Sequence, residues 1–170
     1  MWRGLCRSNP CRGVRRNPQL PRQRYVRDDE FRRVFEKASP AFQDFLAGLY
    51  LTGFRQGDLR RLRKNQLTPH GIRVEESKTG KIRVVQWSEA LRFFITRASS
   101  RATESEVVFT NSQGDPWSRW AIQSAVRRLR ARTKHDWTLH DVRAKAESDH
   151  AEGLGLLPLY RRATRVTPVR

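Results

Sequence analysis

Three short stretches of this chain carry side chains that could handle a phosphate. In Thr52-Gly53-Phe54-Arg55-Gln56-Gly57-Asp58-Leu59, two glycines flank an arginine. The backbone can turn sharply there and hold the guanidinium on a rigid corner. Asp58, three residues on, is expected to orient Arg55; a plain surface pair at a helix start is the other reading. In Ser77-Lys78-Thr79-Gly80-Lys81, a lysine on a turn can reach into a groove and give a proton to a leaving oxygen, or simply sit in water. In His140-Asp141-Val142-Arg143 the imidazole and the guanidinium stand at i and i+3. That spacing puts both on one helix face, where they can converge on one anion or form an ordinary surface pair.

The elements that must position these groups follow from apolar spacing. Asp28 is expected to cap a first helix whose stripe is Phe31, Val34, Phe35 and Ala38. Ser39-Pro40 restarts a helix in the favoured way, Phe42, Phe45, Leu46 and Leu49 form its buried face, and Gly53 ends it. A short third helix carries Leu59 and Leu62. The period then changes to two: Ile72 and Val74, a turn at Lys78-Thr79-Gly80-Lys81, then Ile82, Val84 and Val85, which together predict a β-hairpin. Ser88 caps a helix through Leu91, Phe94 and Ile95, and Val107, Val108 and Phe109 predict a third strand closed by Gln113-Gly114-Asp115-Pro116. A basic helix from Ser118 to Lys134 turns Trp120, Ile122, Ala125, Val126 and Leu129 inward, and Arg127, Arg128, Arg130 and Arg132 outward. Thr138 caps a last helix that bears His140 and Arg143. No internal repeat is present.

Composition bounds what such a domain can do. The 170 residues fit one domain with a sizeable core, and 37% are hydrophobic. Thirty-five Lys and Arg against 17 Asp and Glu leave a net charge of +18. A field of that sign favours a polyanion, nucleic acid being the usual one; a ribosome-associated protein or a merely solvated basic surface fits the charge as well. No apolar run approaches the roughly 20 residues that span a bilayer. The first 27 residues hold eight arginines and no acid. They lack an apolar signal core, and Pro10, Pro18 and Pro21 break them too often for one amphipathic transit helix. Cys6 and Cys11 match no zinc-ligand spacing and read as free thiols.

Taken in order, TGxRxxD, then SKTGK on a hairpin, then HxxR on a helix resemble the catalytic domain of the tyrosine recombinase (phage integrase) family, over about residues 14 to 145. The stretch from Asn9 to Val26 resembles the linker that joins the family's core-binding domain to that catalytic domain. The resemblance implies an α+β, mainly helical fold with a small antiparallel sheet. Residues 1–27 would be the basic linker to a missing core-binding domain, and 28–170 a catalytic domain shortened near its C-terminus. It also implies site-specific DNA recombination or integration with no cofactor, metal or nucleotide. A tyrosine attacks a phosphodiester, forms a 3′-phosphotyrosyl link and releases a 5′-hydroxyl.

In that scheme Arg55 and Arg143 clamp the non-bridging oxygens, Lys78 is the general acid (with Lys81 as the fallback), His140 assists as acid or base, and Asp58 supports Arg55. The implied partners are double-stranded DNA and further copies of the chain on that DNA, with no membrane. The implied location is cytoplasmic and nucleoid-associated, in a bacterium or phage.

Of the three tyrosines, Tyr25 falls in the linker and Tyr50 in an apolar helix, so Tyr160, followed by a basic tail, is the nucleophile by position. The family's Leu-Gly-His (or Trp) motif is absent between Arg143 and Tyr160. Only 17 positions separate the two, about half the usual interval, so an internal deletion is expected. A non-catalytic DNA-binding remnant is therefore the alternative to an active enzyme. An RNA-associated basic protein fits less well, since no RNA-recognition motif or stacking-aromatic pattern is present.

Overall fold

The second helix is apolar on almost every side, and a helix of that kind belongs in the middle of a protein. In the computed structural model, which describes residues 12–14, 24–78 and 80–152, it does lie there. This helix, α2 (Pro40–Thr52), follows α1 (Asp28–Lys37) and buries Ala41, Phe42, Phe45, Leu46, Ala47 and Leu49. It packs against α4 (Glu89–Arg101) and α6 (Leu139–Ala151), while α1 lies on α5 (Arg119–Thr133). Aromatic rings fill the seams: Phe31 stacks on Tyr50 with centroids 5.3 Å apart, and Phe42 meets Trp117 edge-on at 5.4 Å. An acid is sealed between α2 and α4. Asp44 is wholly buried, and Arg97 and Arg101 of α4 bind its two oxygens at 2.6 and 2.7 Å. Removing either arginine would leave a charge poorly compensated in a medium that stabilises charge badly.

Between α2 and α4 the chain forms α3 (Gln56–Arg60), a single 3-10 turn at Lys64–Gln66 and a three-stranded antiparallel sheet. The sheet runs in the order β1 (Leu67–Thr68), β2 (Gly71–Glu75), β3 (Ile82–Gln86). Ile72 sits opposite Val85 and Val74 opposite Arg83, with Ile72 and Val74 turned into the core. The hairpin closes through Glu76 N–H to Lys81 O at 2.9 Å and Gly80 N–H to Glu76 O at 2.8 Å. The result is the expected mainly helical α+β fold with a small sheet.

Four local expectations need correction. The third strand is Leu67–Thr68, not Val107–Phe109. Val108 and Phe109 are both buried, whereas neighbours in a half-buried strand face opposite ways; the segment plugs the core, with Phe109 edge-on to Phe45 at 5.7 Å. Trp120 is 82% exposed, not inward. Ile122, two positions on, is fully buried, and residues two apart on a helix face opposite sides. Arg27, not Asp28, holds the N-cap position of α1, and its N–H donates to Glu30 at 3.1 Å. Finally, the folded body begins before Asp28: Val26 is 1% exposed and Tyr25 is bonded to α6. Of the rest of the expected linker only 12–14, Arg24 and Arg27 are described, and Cys6 and Cys11 lie outside the described residues.

Candidate functional site

Each arm of the site is set by short-range capping. Gly53 ends α2 in the left-handed conformation, with φ of 60°, which costs glycine nothing and a side-chained residue about 1 kcal/mol. Thr52 Oγ1 donates to Gly48 O at 2.6 Å and accepts the Phe54 N–H at 3.2 Å, and Phe54 is buried. The corner is therefore rigid when it reaches Arg55, the residue before α3. The other arm is α6. Thr138 Oγ1 accepts the Asp141 N–H at 3.2 Å while Asp141 accepts the Thr138 N–H at 2.9 Å, a reciprocal cap. The buried indole of Trp137 anchors the approach. His140 and Arg143 thus start from a fixed helix end.

Arg55, Lys78, His140 and Arg143 line one open cleft of about 680 Å³. Arg60 and Arg61 enter it from the C-terminal end of α3, and Arg119 and Gln123 from α5. Six permanent cations and one imidazole thus face a shared space, and among the described residues no carboxylate lines it. Such an arrangement repels cations and favours an anion in the shared space. Several guanidinium forks around one space suit oxygens borne on a tetrahedral centre, bound two at a time.

The orienting partners differ from expectation. Arg55 Nη1 donates to Glu76 Oε2 at 2.7 Å, not to Asp58. Asp58 is buried, and its Oδ1 accepts the Ser77 N–H at 3.3 Å and Arg61 at 3.5 Å. Asp58 therefore ties the hairpin turn that carries Lys78 to the helix behind Arg55. Arg143 is braced one helical turn on by Glu147 at 2.9 Å. Lys81 lies at the start of the return strand and does not line the cleft.

Neither tyrosine among the described residues lines the cleft. Tyr25 and Tyr50 both donate to Asp149, and burial together with that carboxylate raises each phenol above its usual range. A phenol that resists ionisation beside an anion is a poor nucleophile. Tyr160 lies outside the described residues.

Sequence reasoning missed Arg60, Arg61, Arg119 and Gln123. It also missed Lys145, a fully buried cation on the far side of α6. The spacing of Lys145 and Asp149 at i and i+4 is visible in the chain, but its burial is not.

A sequence model described as the phage integrase family matches residues 25–152. No curated protein sequence matches the chain. Among solved structures, the chain is similar to the lambda integrase catalytic core, with a TM-score of 0.68 and 16% identity over 76% of this chain and 84% of that one. It is similar to a lambda integrase dimer bound to a COC′ core site, with a TM-score of 0.73 and 15% identity over 98% and 68%. It is also similar to XerA recombinase, with a TM-score of 0.65 and 18% identity over 86% and 56%. The chain spans 84% of the catalytic-core structure, 68% of the integrase chain in the dimer and 56% of the XerA chain. At these identities the likeness is one of fold. No helix among the described residues is long and apolar enough to cross a membrane.

Proposed function

Because the chain belongs to the phage integrase family, we propose that its cationic cleft holds a phosphodiester of duplex DNA for strand exchange through a 3′-phosphotyrosyl link. The observation that carries this reading is the cleft itself: Arg55, Lys78, His140 and Arg143 converge with three further arginines and no carboxylate. In this scheme Arg55 and Arg143 bind the non-bridging oxygens and stabilise the charge that builds on them, worth roughly 3–4 kcal/mol per donor in comparable sites. The Tyr160 oxygen attacks phosphorus and its proton passes to His140. The bond to the 5′ oxygen breaks, and Lys78 supplies the proton that makes it a hydroxyl. A 5′-hydroxyl from another strand reverses these steps, so the bond energy is kept and no nucleotide is consumed. Glu76 and Asp58 are the positioning residues, one for Arg55 and one for the Lys78 turn. In this reading residues 1–27 are the basic linker, with Tyr25 and Val26 near its end packing on the folded body, and 28–170 are a catalytic domain shortened near its C-terminus. Lambda integrase, as a dimer bound to a COC′ core site and a tetramer bound to a Holliday junction, supplies the analogy for duplex DNA and for assembly on it.

The 17 positions from Arg143 to Tyr160, without the Gly-His element, favour a second reading: a copy that binds duplex but cleaves it poorly. Attack needs the reacting atoms within about 3–3.5 Å and aligned. A nicked suicide duplex decides between the two. A covalent adduct that disappears in Tyr160→Phe establishes the enzyme. Salt-sensitive binding with no adduct establishes the binding remnant. Failure to bind duplex at all removes both.

A further inference from the structure

Four of the five tryptophans lie in the described part of the chain. Trp117 and Trp137 are buried, and Trp87 donates its Nε1–H to Thr68 O at 2.8 Å with Arg92 over its ring. Trp120 is 82% exposed, more than any other large hydrophobic side chain described. Exposing an indole forfeits the burial energy that usually places it inside. A single exposed apolar side chain is ordinary on a protein surface, so whether a partner covers Trp120 turns on what surrounds it.

Its place on α5 says by what. Arg119, its neighbour, and Gln123, one turn on, both line the cationic cleft. At about 100° per residue, Trp120 projects from the helix between the directions of Gln123 and Ser124, beside Arg127. Arg127 and Arg128 are exposed on the same outward side. The indole is therefore an apolar plate set among cations at the rim of the cleft. A second copy of the chain is a poor occupant, since it would bring another strongly basic surface against this one.

We infer that Trp120 is a stacking contact for DNA beside the phosphate held in the cleft, its indole packing on a deoxyribose or an exposed base while Arg119 holds an adjoining phosphate. The inference rests on the nucleic-acid reading of the cleft and adds to it an apolar contact. Cations neutralise phosphates and release counterions, whereas a ring contributes affinity that salt does not screen. The two contributions therefore separate by experiment.

The test is binding of a labelled duplex of about 20 base pairs to the full chain across a salt series, with W120A, W120F and R119A. Trp120→Ala is expected to weaken binding about tenfold at each salt concentration with an unchanged log–log slope, and Trp120→Phe to recover most of the loss. Arg119→Ala is expected to lower the slope by about 0.9. Because the side chain is so exposed, unchanged far-ultraviolet circular dichroism and thermal midpoint in W120A set folding effects aside. Wild-type affinity in W120A overturns the inference while leaving the cleft reading intact. DNA-free self-association that W120A abolishes overturns it in favour of a second copy. If even the wild-type chain ignores duplex, the cleft reading falls first and this inference with it.

Discussion

The Tyr25 hydroxyl donates to Asp149 Oδ1 at 2.6 Å, joining two residues 124 positions apart. The bond is one edge of a cluster centred on the buried Lys145 and Asp149. Lys145 Nζ donates to Tyr25 Oη at 2.9 Å and to Asp28 at 2.5 Å, and pairs with Asp149 at 2.9 Å, so all three ammonium hydrogens find acceptors. Tyr50 completes the set by donating to the other Asp149 oxygen. Helical periodicity places Lys145 and Asp149 on the opposite side of α6 from His140 and Arg143. The cluster therefore pins the back of the helix whose front faces the cleft. A buried ion pair adds little net stability over an apolar substitute, but half of one is costly.

Lys145→Met is expected to cost about 3–5 kcal/mol, because it leaves Asp149 ionised in the core without its cation. Urea unfolding reads this as a lower midpoint at unchanged slope. Tyr25→Phe removes two hydrogen bonds at a half-exposed ring, one to Asp149 and one from Lys145, and is expected to cost about 2 kcal/mol. Equal losses in the two variants would mean the cation is not the centre of the cluster.

The cluster also sets a pH dependence. Burial would lift the Asp149 carboxyl, but hydrogen bonds from Tyr25, Tyr50 and Lys145 outweigh it and hold the group below its ordinary value. Its contribution is thus present above the unfolded value near 3.9 and lost as pH falls through the folded one. Burial lowers Lys145, yet its bonds to Asp28, Tyr25 and Asp149 win and raise it. Its contribution is full below about pH 10.4 and lost above. Tyr25 and Tyr50, both raised, act in the same alkaline direction. Asp44, raised by burial, opposes Asp149 on the acid side. The clean measurement is the stability gap between wild type and Asp149→Asn, expected to be constant from about pH 5 to 8 and to shrink below about pH 4. A gap that widens in acid would contradict the assignment.

A methyl group at position 48 has nowhere to go. A Cβ built on Gly48 would lie 2.5 Å from Phe109 Cζ, in the seam between α2 and the buried 108–109 segment. Alanine gains up to about 1 kcal/mol in helix propensity, but overpacking costs about 1–3 kcal/mol. Gly48→Ala is therefore expected to be net destabilising by thermal denaturation. A rise in midpoint would show that Phe109 can move aside.

Cleft arginines should act through phosphate alone. Arg55→Ala or Arg143→Ala is expected to weaken duplex binding at low salt and to reduce the magnitude of the salt slope by about 0.9 each. Glu76→Ala should also weaken binding, since it frees the Arg55 guanidinium from its 2.7 Å brace. Glu76→Gln keeps an acceptor there and should retain the orientation. Filter binding or fluorescence anisotropy across a salt series measures all four.

What could be read from the chain alone was whatever depends on neighbours three or four positions away. Ser88, Ser118 and Thr138 cap their helices through their own hydroxyls, and Gly53 ends α2 in the conformation glycine favours. The hairpin and the mainly helical class followed from periods of 2 and 3.6 in the same way. Tertiary structure decided which charge meets which. Asp58 is three residues from Arg55, yet the fold delivers Glu76, 21 positions away, because α3 turns the Asp58 carboxylate toward Ser77. Lys145 looks like any surface lysine until Tyr25, Asp28 and Asp149 surround it, and Arg119 joins the cleft only because the fold brings the start of α5 to the same space as α3 and α6. Caps and turns are settled by local geometry at short reach. An ion pair or a shared cleft depends on which distant segments burial brings together, and no local spacing records that.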